Sequence, residues 1–319
     1  MLNIVPFEKK HWPEAAALAL GDYERQRRQI PCLPGIDEVP AVPDLWENGM
    51  GVAAFEGGRM AGFLCAHGPF DNAFRATDVK GAFSPMGGHA ARSEGRGRIY
   101  GAMYQAAAEK WVRAGAVSHG VSLYSWDEEA RRQFFTCGFG QRCADAIRPM
   151  TETACAPCPG YAFAELKPEE LALIYPLELA LYDHYCQSPF FMNRTPDSLD
   201  RFLETARDDE ARYFAALCEG RVCAYVKVSA TGETFAACGR DYRHVTGAYC
   251  LPEHRGQGLY PNLLNFAIRT LAPMGYTMLG VDYESINPTA YGFWRKHFEA
   301  YTCSVVRRID ERILQLYGK

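Results

Sequence analysis

Apolar positions change their period several times along the chain. In the stretch "HVTGAYCL" (244–251) they form a short run suited to a strand, and "LYPNLLNFAIRTLAPMG" (259–275) follows. There Leu263, Phe266, Ala267 and Leu271 recur at helical spacing, with Pro261 in the first turn and Gly275 just past the end. "TMLGVDYES" (277–285) predicts a further strand. "NPTAYGFWRKHF" (287–298) predicts a short helix with Asn287 as its N-cap before Pro288, and "TCSVVRRI" (302–309) predicts a last strand of the same half. Upstream, "FAALCEGRVCAYVK" (214–227) is patterned as a β-hairpin with a tight glycine turn before an arginine.

The same order occurs earlier. With Ile99-Tyr100-Gly101 set against Leu259-Tyr260-Pro261, Gly115 meets Gly275, Gly120 meets Gly280 and Val121 meets Val281. Asp127 then meets Asn287, Ala130 meets Ala290 and Phe134 meets Trp294. The hairpin "VAAFEGGRMAGFLC" (52–65) mirrors 214–227. The chain is therefore a duplication. Residues 1–150 and 161–319 form its two domains, and the Pro- and Gly-punctuated stretch 151–160 is the linker. Each half runs from a strand through helices to a hairpin, then alternates strand and helix. That order predicts an α/β fold, with a mixed, mostly antiparallel sheet flanked by helices.

Composition removes several function classes. A formal charge of −4 and a pI near 6.1 leave no basic footprint for nucleic acid. No run of about 18 apolar residues suggests a membrane span, and "MLNIVPFEKKHW" lacks the layout of a signal peptide, so a cytoplasmic location is expected. The twelve cysteines are then expected to be reduced. Cys155 and Cys158 form a lone CxxC without a second pair, so no metal site is expected. A tandem duplicate can mimic a dimer within one chain, so a monomer is compatible with the sequence, which does not fix the oligomeric state.

The stretch between strand and helix, Leu251-Pro252-Glu253-His254-Arg255-Gly256-Gln257-Gly258-Leu259, carries the candidate chemistry. Glycines there let backbone N–H groups approach an anion, the helix N-terminus favours negative charge, and Arg255 adds a fixed positive one. A P-loop would need Lys-Ser/Thr after the second glycine, where Leu259-Tyr260 stand. A dinucleotide-binding turn would need three glycines early in a βαβ unit. The stretch resembles instead the acetyl-coenzyme A loop of the GNAT superfamily of N-acetyltransferases, Arg/Gln-x-x-Gly-x-Gly/Ala. Arg255 and Gly258 match, and Tyr260 stands in the last small position. A second family signature, Asn-x-x-Ala-x-x-Phe-Tyr, resembles Asn287, Ala290, Phe293 and Trp294.

The resemblance covers most of both halves and is similar to tandem-GNAT proteins. It implies two GNAT-like domains and acetyl-CoA as co-substrate, held by Tyr249, Cys250, Leu251, Arg255, Gly256, Gln257, Gly258, Leu259, Tyr260, Asn287 and Trp294. It also implies acetyl transfer to the primary amine of a small molecule. A non-catalytic acyl-CoA-binding module and acetylation of a protein or peptide amine are the alternatives.

An alkyl ammonium with a pKa of about 10.4 must lose a proton before it can attack a thioester. In "VDYES", Asp282 and Glu284 share one face of a strand, and Glu284 at its C-terminal end is the candidate base, with His244 a weaker one. Trp294 stands where many relatives carry a tyrosine to protonate the thiolate. Tyr291 takes that role here, or the thiolate leaves without a side-chain acid. In the first half, the register anchored on Ile99 puts Arg98 opposite Gly258. A side chain there would obstruct phosphate, making that half a degenerate, structural or substrate-shaping copy. A register shifted by three residues, Arg92-x-x-Gly95-x-Gly97, would instead restore the signature.

Overall fold

The computed structural model describes residues 1–208 and 210–317. In chain order, the first half comprises β1 (Asn3–Pro6), α1 (Trp12–Gln29), α2 (Asp44–Glu47), β2 (Val52–Glu56), β3 (Arg59–Leu64), β4 (His67–Phe70), β5 (Gly81–Ser84), β6 (His89–Ala91), α3 (Arg96–Arg113), β7 (Ser118–Tyr124), α4 (Glu128–Thr136) and β8 (Gly140–Pro149). The second comprises β9 (Tyr161–Leu166), α5 (Tyr175–Cys186), α6 (Leu199–Asp208), β10 (Arg212–Cys218), β11 (Arg221–Ser229), β12 (Tyr242–Cys250), α7 (Leu259–Leu271), β13 (Met278–Glu284), α8 (Pro288–His297), β14 (Glu299–Ala300), β15 (Thr302–Arg308) and α9 (Leu314–Tyr317). The expected mixed α/β architecture is present in both halves.

Two compact units result, and their borders depart from 1–150 and 161–319. The first gathers Met1–Ala144, Glu284–Ile286 and Ala300–Lys319, and the second Asp145–Tyr283 and Asn287–Glu299. In the first unit, β1-β2-β3-β6 form one antiparallel sheet, and β4-β5-β7-β15-β8 run in order in another. Strand β15 pairs antiparallel with β7 from Thr302↔Tyr124 to Arg308↔Ser118 and with β8 on its other side. "TCSVVRRI" thus does not close the sheet of its own half. The cause is packing: Cys303 and Val305 are buried in the first unit's core with Val121, Leu123, Tyr100, Trp111 and Phe134.

In the second unit the order is β13-β12-β11-β10-β9, and the Asp145–Pro149 part of β8 lies beside β13. Helices α5 and α6 cover one face over Leu166, Tyr213, Ala215, Tyr225 and Tyr249, with Leu177 of α5 buried among them. Helix α7 covers the other, its Phe266 ring against Phe163 and Phe214. The stretch 151–160, expected as a linker, is fastened along α7. The buried Asn265 accepts from Thr153 N–H at 2.8 Å and donates to Thr153 O at 2.7 Å, and Asn262 Nδ2 donates to Ala156 O.

Candidate active site

Strands β12 and β13 pair in parallel only over Tyr242↔Met278 to Val245↔Val281 and then diverge. The fork opens where β12 carries a bulge: Gly247 opposes Lys227 and Val245 opposes Val228, which leaves Thr246 as the extra residue. Beyond it, Leu251 N–H bonds across β11 to Cys223 O. Alternation along the strand therefore turns the N–H groups of Ala248 and Cys250 toward the fork.

The chain leaves β12 through a 3-10 turn at Pro252–His254 and enters α7 through Gly256 (φ 74°) and Gly258 (φ 76°), the latter its left-handed N-cap. A side chain at either position would be strained. Beside Gly258 the nearest neighbour to an added Cβ would be Ala156 O at 4.0 Å, and the helix start at Leu259 and Tyr260 lines a cavity. Arg255 Nε donates to Cys250 O at 2.8 Å, tying the turn to the strand end, and its guanidinium lies 5.2 Å from the Tyr249 ring centre. Among the described residues no carboxylate forms an ion pair with Arg255.

A cavity of about 520 Å³ joins these parts, entirely within the second unit. Tyr249, Cys250, Arg255, Gly256, Gly258, Leu259, Tyr260, Asn287 and Trp294 line it, bringing most of the residues read from the sequence to one place. Leu251 and Gln257 are not among the lining residues. Leu251 is in the backbone bond to Cys223, and Gln257 Nε2 donates to Glu253 O. Asn287 caps α8 as expected, its Oδ1 accepting from the N–H groups of Thr289 and Ala290 at 3.2 Å. Tyr260, in the position of the small residue, turns its hydroxyl to Tyr225 O at 3.0 Å and packs edge-on against Trp294.

The lining also includes Phe293 of the second signature and residues that no motif marked, among them Leu181 and His184 from one face of α5, and His297 from α8. Burial and the charge of Arg255 push the His184 pKa down, so it is neutral at pH 7. Burial pushes the Cys250 thiol up to about 11, so it stays protonated.

The proposed acid and base are placed differently. Tyr291 is outside the lining, with its hydroxyl 3.2 Å from Arg295 Nη1. Glu284 belongs to the first unit, where its Oε1 accepts from Arg142 Nη2 at 3.1 Å. That ion pair gives the carboxylate a structural role that strand alternation did not reveal.

Residues 179–299 match the model of the acetyltransferase (GNAT) family. This segment is a GNAT domain. Among curated proteins none matches the chain. Among solved structures, the chain resembles a GCN5-related N-acetyltransferase from Sphaerobacter thermophilus, at 13% identity over 96% of this chain and 95% of that one, with a TM-score of 0.57. It also resembles a glucosamine N-acetyltransferase region of a fungal multi-domain β-N-acetylglucosaminidase, at 15% identity, 96% and 38% coverage and a TM-score of 0.50. A tandem GNAT protein from the clavulanic acid biosynthesis pathway gives 15% identity, 97% and 98% coverage and a TM-score of 0.42. The likeness to the first two concerns the fold.

In the first unit, α3 begins at Arg96 with Gly95 (φ 66°) as its left-handed N-cap. Gly95 therefore stands where Gly258 stands in the GNAT domain. The shifted register is the structural one, and Arg98 is a residue of the first helical turn rather than the counterpart of Gly258. Among the described residues no group of three or more His, Cys, Asp or Glu side chains is placed to hold a metal, and no helix is long and apolar enough to cross a membrane.

Proposed function

We propose that the protein is an acetyl-CoA-dependent N-acetyltransferase that acetylates the primary amine of a small molecule in its GNAT domain. One observation carries the reading: a forked strand pair, a bare glycine turn and a helix N-terminus open on a single cavity. The open space beside Gly256 and Gly258 fits the approach of a pyrophosphate to backbone N–H groups. Acetyl-CoA would supply the activated acyl group. Arg255 adds positive charge at the turn, and the N–H groups of Ala248 and Cys250 supply donors at the fork for a developing oxyanion. Tyr249, Trp294 and Leu259 give the lining apolar surface.

The first unit is proposed to serve structure, and the acetyl transfer to depend on the GNAT domain alone. Thiol release from acetyl-CoA with a panel of small amines, followed by mass spectrometry of the products, tests the reading. Acetylated product from at least one amine is expected. Tight CoA binding without thiol release from any amine would favour a non-catalytic acyl-CoA-binding module instead.

A further inference from the structure

A buried polar relay runs from the sheet interior to the fork. The wholly buried His244 ring shares a hydrogen bond at Nδ1 with the Tyr242 hydroxyl at 2.6 Å and one at Nε2 with Asp282 Oδ1 at 3.0 Å. An ionised Asp282 only accepts, so Nε2 carries the hydrogen and Tyr242 donates to Nδ1. Two glycines make room for this arrangement. An added Cβ at Gly280 would stand 1.7 Å from the Tyr242 hydroxyl and 2.7 Å from His244 Nδ1, and one at Gly232 would stand 2.5 Å from that same nitrogen.

Asp282 is the first residue of β13 past its last pairing with β12, so its carboxylate stands where the fork begins. It shares the sheet face with His244, because Gly280 pairs with His244 and side chains alternate. Register across β11 puts this face on the side of α5: Ser229 pairs with His244, and Tyr225, on the same side of β11, bonds to Glu178 of α5. The pyrophosphate turn and α7 lie on the opposite face. The Asp282 side chain is 34% exposed while the ring that holds it is sealed.

We infer that Asp282, fixed by His244 and Tyr242, is the carboxylate that receives the cationic amino group of the acceptor at the fork, selecting aliphatic primary amines over neutral arylamines. The inference rests on the acetyltransferase reading and deepens it. An ammonium group needs an acceptor-only partner in partial shelter from water, and a carboxylate with one oxygen pinned offers the other in a fixed direction. Glu178 takes the Tyr225 hydroxyl, Glu284 takes Arg142, and Asp145, whose charge also acts on the Tyr242 hydroxyl, is buried and less open than Asp282 to an incoming cation. His184, on the same side of the sheet at the cavity wall, is neutral and does not repel a cation.

Two measurements test this. In steady-state kinetics, Asp282→Asn keeps an acceptor for His244 and should raise KM for an alkylamine at least tenfold. KM for an arylamine and the affinity for CoA should remain as in the wild type. Equal effects on both amines, or none, would overturn the assignment. The second needs no turnover: nitrogen NMR of the histidine rings in the CoA-bound wild-type protein, titrated with butylammonium chloride. The His244 Nε2 signal should shift saturably with butylammonium and stay fixed with butanol. No shift, or the same shift with butanol, would also overturn it. Failure of every amine in the thiol assay would instead count against acetyl transfer, while the titration would still decide the docking site.

Discussion

The turns before α3 and before α7 share a left-handed glycine cap and have opposite surroundings. Both end in a left-handed glycine N-cap, Gly95 and Gly258, three residues after an arginine, Arg92 and Arg255. In the first unit, Arg92 and Arg98 both pair with Glu56, and the Arg98 guanidinium folds back to within 3.6 Å of where a Gly95 Cβ would be. Arg96, the first helical residue, is buried and paired with Asp22 and Asp127. In the second unit, Leu259 and Tyr260 follow the glycine, and Arg255 bonds a carbonyl rather than a carboxylate. A retained signature is therefore not enough by itself to predict an anion site. Local charges must also remain unspent, and in the first unit they are neutralised from within.

The largest expected effect comes from breaking that internal compensation. Arg96→Met would leave Asp22 and Asp127 buried without their partner, at a cost of about 3–5 kcal/mol. Denaturant melts should show the loss, while CoA affinity of whatever remains folded should be unchanged. If stability is unaltered, the buried triad does not hold the first unit together.

A second pair of variants compares the turns directly. Gly258→Asp should weaken CoA binding at least tenfold, about 1.4 kcal/mol or more, because it adds a side chain and a negative charge at the open turn. Gly95→Asp should leave CoA affinity where it was. Calorimetry reads both, and equal losses would erase the distinction between the turns.

Stoichiometry sharpens it further. The wild type should bind one CoA per chain, and Glu56→Gln should admit a second, weaker equivalent by releasing Arg92 and Arg98. Two equivalents in the wild type would mean that the Glu56 carboxylate yields to phosphate.

The smallest effect is on pH dependence. Burial pushes the Asp22 pKa up to about 6 against the pull of Arg96. Its unfolded value is about 3.9, so its contribution is full below about pH 4 and is lost as pH rises through about 6. Asp22→Asn should flatten that part of the stability profile measured by urea melts.

Much of this was legible in the sequence, for identifiable reasons. The α7 helix, the Asn287 cap and the glycine turn depend on local chemistry, and each was in place. The register of the first turn was not legible, because three residues are nearly one helical turn of 3.6. Sliding α3 by that amount keeps Ile99, Tyr100 and Met103 on an apolar face, so periodicity could not choose. The neighbour of β15 was hidden for a similar reason: alternation tells which side chains are buried but not beside which strand. Nor did anything in "LYDHYC" mark His184, whose place at the cavity follows from how α5 lies on β12.

The position of β15 also sets a timetable for synthesis. The first unit's sheet stays incomplete at β7 until residues 302–308 have left the ribosome, after nearly all of the second half has been made. At about 5–20 residues per second, the β7 edge waits on the order of ten to some tens of seconds for its partner. Throughout that interval Val121 and Leu123 lack the cover that Cys303 and Val305 later supply, so a stop codon before residue 302 would leave the core of the first half open.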